Sequence, residues 1–419
     1  MEKLMITGGV PLVGELAVQG AKNSALPLLA AAVLVKGKTV LHNCPDLTDV
    51  DAACKILSYL GCRVRREGGT VEVDASRVNR YDVPDDLMRE MRSSIVFLGA
   101  IAARMRAAQI SFPGGCELGP RPIDLHLLGL RQLGLHIKEE YGLLDCELHS
   151  KRFVGSRISF SFPSVGATEN IMIAAATALG QTVISNAAQE PEIIALAEFL
   201  NQCGAKIYGA GKSTIVIEGV PVLTETEYRV ISDRIVAVTY LCAAAATGGE
   251  ILLTDVFTDQ LDSVFPVLDQ MGCKLKISDR SVYLKAPLRL KAAKTIRTMP
   301  YPGFPTDAQA PVMAVTTLAS GTTIFVENVF ESRYKHVGEL VRMGANIKVE
   351  GKVAVVEGAR SLYGASVEST DLRGGAALVI AGLAASGVTT IGSLHHIDRG
   401  YEKIEENLVK LGGRIYRET

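Results

Sequence analysis

A glycine that closes a helical pattern and precedes an alternating apolar strand recurs six times along the chain, at Gly61, Gly134, Gly204, Gly272, Gly344 and Gly412. The spacings run from 68 to 73 residues. Self-similarity at a fixed period restricts a chain to repeat architectures, because each copy must bury its apolar face against another. The surrounding strings agree too: Leu60-Gly61-Cys62, Met271-Gly272-Cys273, Met343-Gly344-Ala345 and Leu411-Gly412-Gly413. Each glycine suits the left-handed conformation that ends a helix.

One unit reads in a set order. A small apolar helix comes first, such as Ala25–Val33 or Ala376–Ala385. Most units continue with a glycine and a short strand, as in Gly37 with Thr39-Val40-Leu41, Gly321 with Thr323-Ile324-Phe325, and Gly387 with Thr390-Ile391. An amphipathic helix follows, clearest where Tyr401, Ile404, Leu408 and Leu411 share a face. A strand pair turning at glycines ends the unit, as in Val64, Gly68-Gly69, Val71 and Val73. The first helices are apolar nearly all round and should be buried, whereas the second carry a wet face. The expected fold class is therefore α/β, with helices inside and sheets outside. Three units per half give two domains, 22–229 and 1–21 plus 230–419, with a break near Arg229-Val230-Ile231. The segment before Lys22 has no unit of its own and is expected to complete the second half. The competing architecture is an open solenoid, whose repeats are usually shorter, about 20 to 45 residues.

Lys and Arg total 44 against 45 acidic residues, so no global field argues for nucleic acid or an anionic membrane. The apolar runs near Ala25–Val35 and Ile235–Ala246 fall short of the roughly 18 residues that span a bilayer. Met1-Glu2-Lys3-Leu4-Met5 lacks the layout of a signal peptide. The eight cysteines form no Cys-x-x-Cys pair and have no His at zinc spacing. We therefore expect a cytoplasmic chain without a protein-bound metal.

Any anion site must then be a local concentration of positive charge. Just ahead of the first helices lie Lys22-Asn23, Arg92-Ser93, Thr168-Glu169, Asp233-Arg234, Thr306-Asp307 and Asp371-Leu372-Arg373. Ahead of the second lie Arg121 to Asp124, Glu190, Asp259, Arg333 and Asp398-Arg399. Equivalent units would gather these residues at one end of each domain, and two such ends facing each other would form a cleft lined by helix amino termini. Free backbone amides and the helix dipole favour anions there. Arginine adds bidentate grip on carboxylate or phosphate. The competing reading is ordinary caps and solvated ion pairs.

The second unit differs from its siblings. Its extra residues fall in Phe112-Pro113-Gly114-Gly115-Cys116-Glu117-Leu118-Gly119-Pro120-Arg121, whose prolines and glycines suit a loop. A thiol there, with Arg121 nearby, is a candidate reactive cysteine. The other seven cysteines sit in apolar patterns that suit structural roles.

Several strings together resemble the UDP-N-acetylglucosamine 1-carboxyvinyltransferase family of enolpyruvyl transferases. They are Lys22-Asn23, the Cys116 loop, Arg121-Pro122-Ile123-Asp124-Leu125-His126, Ser164-Val165-Gly166-Ala167-Thr168, Phe304-Pro305-Thr306-Asp307, Thr370-Asp371-Leu372-Arg373 and His396-Ile397-Asp398-Arg399-Gly400-Tyr401. The resemblance spans essentially the whole chain in order. It implies two inside-out α/β domains of three units each, with the active site between them. The implied reaction moves the enolpyruvyl group of phosphoenolpyruvate to the 3-hydroxyl of UDP-N-acetylglucosamine, releasing phosphate. This is the first committed step of peptidoglycan synthesis, and it needs no metal, organic cofactor or obligate protein partner. The family's positions then fall on Asp307 at the sugar hydroxyl, as candidate base, and on Cys116 as proton donor or product-release residue. Lys22, Arg121 and Arg399 match phosphate contacts, and Lys22 counts among the catalytic residues. Arg333 and Arg373 match positions near the carboxylate, and Asn23 a sugar contact. Arg92, Pro122, Asp124, Leu125, Ser164 and Gly166 fall on the nucleotide side, while Arg234 and Val329 match further substrate contacts. Asp371 and Glu190 match acidic residues of the site. Phe162 departs from relatives that carry a lysine near the diphosphate.

Three other readings compete. The related shikimate-pathway enolpyruvyl transferase shares fold and donor, but the Cys116 loop and the Arg-Pro-x-Asp-x-His stretch favour the nucleotide sugar. A non-catalytic phosphometabolite-binding protein would bind without turnover. An RNA-end cyclase would need a basic surface and a nucleotide-triphosphate motif, both absent.

Overall fold

The computed structural model of the protein describes residues 2–113 and 123–418. The six repeat glycines all take positive φ, between 88° and 100°. At each of them the chain closes its helix with the same two hydrogen bonds. Gly61 N donates to Ser58 O and Cys62 N to Leu57 O, and the pattern returns at Gly134, Gly204, Gly272, Gly344 and Gly412. This pair of bonds satisfies two carbonyls that a helix end otherwise leaves unpaired.

Among the described residues, six four-stranded sheets follow one plan. In the first, Lys38–His42 pairs antiparallel with Thr70–Asp74, which pairs in turn with Arg63–Glu67. The remaining edge is a parallel strand lent by another unit, Thr226–Arg229. The lending runs around a closed ring. Asp82–Val83, after the first hairpin, joins Ala107–Ser111 of the second unit. Arg157–Ser159, after the second, joins Gln181–Ser185 of the third, whose own trailing strand is Thr226–Arg229. The other three units do the same: Thr295–Arg297 joins Thr322–Val326, and Ser366–Glu368 joins Val388–Gly392. The leading segment closes this second ring with two strands. Lys3–Thr7 lies between Val388–Gly392 and Arg414–Glu418, and Val13–Ala17 lies parallel to Glu250–Thr254. Closed rings of three replace the open solenoid, which would leave its terminal edge strands unpaired.

The described residues divide accordingly into two compact units, residues 20–113 with 123–231, and residues 2–19 with 232–418. Each has its own apolar core. In one, the helices Lys22–Ala32, Phe97–Met105 and Val165–Ala175 pack on one another; in the other, Arg234–Thr247, Thr306–Thr316 and Leu372–Ala384 do. Small side chains permit this close approach. A Cβ at Gly99 would sit 2.3 Å from Asn170 Oδ1 and 2.7 Å from its carbonyl oxygen, so only glycine lets these two helices meet. The second helices lie outside with one buried stripe, and Tyr401, Ile404, Leu408 and Leu411 are all buried. No described helix is long and apolar enough to cross a membrane.

Gly134 tests the helix-ending argument. A Cβ there would meet nothing within 4 Å, so Gly134→Ala adds backbone strain without a packing clash. We expect a loss of about 1–2 kcal/mol, seen as a lower urea midpoint. An unchanged midpoint would show that the left-handed turn does not require glycine.

Candidate functional site

In the unit of residues 232–418, two successive repeats bring Asp307, Arg333 and Arg373 together. Asp307 stands in the first turn of Thr306–Thr316, and Arg373 in the first turn of Leu372–Ala384. Arg333 lies in the connection ahead of Val337–Arg342. Arg333 Nη2 donates to Asp307 Oδ1 at 2.9 Å, and Arg373 Nη2 donates to Oδ2 at 3.1 Å. The two arginine side chains are only 1% and 3% exposed, while that of Asp307 keeps 27% of its surface. These are therefore not solvated surface charges. Two desolvated guanidinium groups grip a carboxylate that still faces solvent. Arg333 is aimed further by Nε and Nη2, which both donate to the carbonyl of Thr306.

Neighbouring acids play other parts. Asp371 caps its helix, with Oδ1 accepting from the amides of Arg373 and Gly374. Asp233 likewise accepts from the amides of Ile235 and Val236, and Arg234 lies over the Tyr301 ring. Buried Glu327 accepts from the amides of Val329 and Phe330 and from the Thr306 hydroxyl, tying the Val329 turn to the helix of Asp307. Arg399 is half-buried, and the preceding Asp398 is held by both terminal nitrogens of Arg417.

In the unit of residues 20–231, the expected residues again sit at helix heads. Lys22 opens Lys22–Ala32 and reaches buried Asp49 at 3.2 Å, with Asn23 beside it. Arg92 opens a short 3₁₀ turn, and its Nη1 donates to the Pro113 carbonyl. Asp124 and Leu125 begin Asp124–Gln132. Ser164 caps Val165–Ala175 by accepting from the Ala167 amide, and Gly166 follows in its first turn. Glu190 precedes Pro191–Gln202. Together with Glu192 it lies near buried Glu169, whose carboxyl is raised well above its ordinary value by burial first and by these two neighbours second. Phe162 is exposed. Cys116, Arg121 and Pro122 lie outside the described residues.

Among the other seven cysteines, burial pushes the thiols of Cys44, Cys146, Cys203 and Cys273 up to about 12, and those of Cys54 and Cys62 to about 11. Cys242, wholly buried, is raised as well. Such thiols stay protonated and make poor nucleophiles.

Two buried histidines escaped the sequence reading as structural elements. Asn170 spends its amide protons on the Ile95 carbonyl and on His126 Nδ1, and its Oδ1 accepts from Gly99 N. His126 Nδ1 is thus an acceptor and its proton sits on Nε2. Burial, then Arg92, lowers His126 to about 3. His336, packed against Gly374, is lowered to about 4 by burial chiefly and by Arg333, with Asp371 opposing. His126 was quoted only as a motif letter, while His336 carries no local signal because its burial depends on a distant helix. Glu327, Thr239 and Tyr401 were likewise missed as polar elements. An acid ending an apolar strand was the available hint for Glu327.

Both imidazoles are neutral when folded and take up a proton below about pH 6.5 when unfolded. The unfolded state therefore binds more protons between that value and the folded ones, and stability falls as pH drops. Each histidine should cost about 1.4 kcal/mol per pH unit below 6. Urea midpoints between pH 7 and 4.5 should decline, less steeply in His126→Phe and His336→Leu. Equal slopes in all three proteins would exclude this account.

Known proteins resemble the chain along its whole length. Residues 6–408 match the family described as EPSP synthase (3-phosphoshikimate 1-carboxyvinyltransferase). UDP-N-acetylglucosamine 1-carboxyvinyltransferase 2 of Caldanaerobacter subterraneus subsp. tengcongensis is 52% identical over 417 residues, covering 100% of both chains. UDP-N-acetylglucosamine 1-carboxyvinyltransferase 1 of Symbiobacterium thermophilum is 49% identical over 421 residues, 99% of this chain and 95% of that protein. The crystal structure of the enolpyruvyl transferase NikO from Streptomyces tendae matches with a TM-score of 0.90 at 27% identity, covering 100% of this chain and 99% of that one. EPSP synthase from Acinetobacter baumannii shares the fold, with a TM-score of 0.77 at 19% identity over 100% of both chains.

Proposed function

The chain belongs to the enolpyruvyl transferase family, in its UDP-N-acetylglucosamine 1-carboxyvinyltransferase branch, and from that premise we propose that it transfers the enolpyruvyl group of phosphoenolpyruvate to the 3-hydroxyl of UDP-N-acetylglucosamine, releasing phosphate. The observation that carries the chemistry is the Asp307 carboxylate, held on both oxygens by Arg333 and Arg373 yet still accessible. Each carboxylate oxygen has lone pairs beyond the one already used, so a sugar hydroxyl can donate to it. The hydroxyl proton passes to Asp307 as the oxygen bonds to C2 of phosphoenolpyruvate, and C3 takes a proton from a donor, for which we assign Cys116. Loss of a C3 proton then expels phosphate and restores the double bond. A substrate carboxylate near Arg333 and Arg373 competes with Asp307 for their donors. That competition leaves Asp307 a better proton acceptor when the donor substrate is present.

The remaining assignments follow the same reading. Lys22, Arg121 and Arg399 hold phosphate, since cations in a water-poor site act more strongly than in bulk water. Asn23 contacts the sugar. Arg92, Pro122, Asp124, Leu125, Ser164 and Gly166 serve the nucleotide, with Arg234 and Val329 as further contacts and Glu190 and Asp371 as acidic residues of the site. The reaction belongs to cell-wall precursor synthesis and to the cytoplasm. The 3-phosphoshikimate reading has less support, since its representative structure shares only 19% identity and so speaks to fold alone.

Asp307→Asn should lower phosphate release by about 10²- to 10⁴-fold while calorimetric binding of UDP-N-acetylglucosamine persists. Lost binding with intact turnover of bound sugar would make Asp307 a positioning residue, and turnover of 3-phosphoshikimate by the wild type would favour the other branch.

The epoxide phosphonate fosfomycin should alkylate Cys116 ahead of the seven cysteines whose thiols burial holds protonated. Peptide mass spectrometry that finds another cysteine modified first would remove Cys116 from the mechanism.

A further inference from the structure

Tyr401 lies on the buried stripe of the last amphipathic segment, and its ring is 1% exposed. Packing explains the ring but not the hydroxyl, since a phenylalanine would fill the same space. The hydroxyl has two partners: Arg373 Nη1 at 3.1 Å and Thr239 Oγ1 at 2.9 Å. Thr239 lies in Arg234–Thr247, and its own hydroxyl is 2.8 Å from the Ile235 carbonyl, which can only accept. The proton directions follow. A guanidinium cannot accept, so the Tyr401 oxygen accepts from Arg373. Thr239 gives its proton to Ile235, so Tyr401 must donate to Thr239. Every proton along this line is used once.

The line continues beyond Arg373. Its other terminal nitrogen donates to Asp307 Oδ2, whose partner oxygen accepts from Arg333, and Arg333 also donates to the Thr306 carbonyl. A single chain of polar contacts, buried up to the accessible Asp307, thus joins the heads of the three inner helices of this unit. Burial raises the Tyr401 hydroxyl above its ordinary value against the opposing pull of Arg373, which keeps it a neutral donor. Inside the fold, such contacts are stronger than in water and leave the guanidinium plane little freedom.

We propose that Tyr401 is a positioning residue for the reaction: its hydroxyl, anchored on Thr239, sets the plane of Arg373 and thereby the carboxylate of Asp307. The inference rests on the proposed function for its kinetic consequence, but its geometric content stands apart. Without the hydroxyl, one Nη of Arg373 loses its buried acceptor, and the guanidinium is free to turn away from Asp307.

Tyr401→Phe keeps the ring and removes only the oxygen. Losing a hydrogen bond to a charged group corresponds to about 10- to 100-fold in rate. The expected result is a fall of that size in kcat, with KM for UDP-N-acetylglucosamine within about threefold. The double variant Tyr401→Phe with Arg373→Lys should lose much less than the product of the two single effects, because both remove one contact. A residue that only fills space would show independent effects, and a kcat for Tyr401→Phe within twofold of wild type would overturn the proposal. A second measurement does not depend on the substrate. In protein labelled with ¹⁵N-arginine, the Arg373 Nη protons should exchange slowly in the wild type and fast in Tyr401→Phe. Equal exchange in the two proteins would overturn the proposal even if the kinetics moved. A wild type that releases no phosphate from phosphoenolpyruvate and UDP-N-acetylglucosamine would defeat the functional reading, and the exchange rates would still decide the role of Tyr401.

Discussion

The mutual packing of three apolar helices in each unit is the constraint from which the other features follow. Helices that bury nearly all of their surface can carry polar residues freely only at their ends, and elsewhere only where each is paired, as Asn170 and Thr239 are. Their first turns also present backbone amides without intrahelical partners, which makes those ends the natural place for acids, hydroxyls and bound anions. Lys22, Arg92, Ser164, Asp233, Asp307, Asp371 and Arg373 all lie there. The sheets outside need not carry chemistry. They close each ring by lending an edge strand to the next repeat, which also protects the edges from foreign pairing.

Burying two arginines against one aspartate is expensive, because desolvation of each charge offsets much of the attraction. Here the cost is shared with neutral partners. Arg333 leans on the Thr306 carbonyl, and Arg373 leans on Tyr401. Both guanidinium groups face the accessible Asp307 carboxylate, where an anionic substrate would compete for their donors. An arrangement optimised for stability alone would balance these charges or replace them with apolar side chains.

Much of this was legible in the sequence, because repetition converts weak local signals into strong ones. The six glycines announced six helix ends, and the structure closes each with the same pair of bonds. The apolar first helices announced burial. Asp307, Arg333 and Arg373 were legible as a class of charged residues near helix heads, but their mutual contacts were not. Contacts between repeats depend on ring closure, which no window of sequence reports. Tyr401 shows the same limit: its helical spacing identified a buried ring and concealed a working hydroxyl. His336 was invisible for a related reason, and Glu327 offered only a faint hint, since a polar residue inside a fold is defined by partners that lie far along the chain.

Comparison of the three inner helices of residues 232–418 shows how a repeat can be turned to chemistry. In two of them an aspartate occupies the cap and spends an oxygen on two backbone amides, Asp233 in one and Asp371 in the other. In the third, the cap position is Pro305, whose side chain cannot accept a hydrogen bond, and the acid appears two residues later as Asp307. That shift of half a turn removes the carboxylate from capping and turns it toward Arg333 and Arg373. The amides of this helix end lose their side-chain cap, a sacrifice of about 1 kcal/mol in typical cases. What is gained is an acid whose oxygens answer to side chains, Arg333 of its own repeat and Arg373 of the next, rather than to its own backbone. A capping carboxylate moves with its helix and has its acceptor capacity spoken for, whereas Asp307 keeps accessible surface and can change partners. The same helix end thus carries a capping acid in two copies and, in the third, an acid left available for the proton transfer we propose.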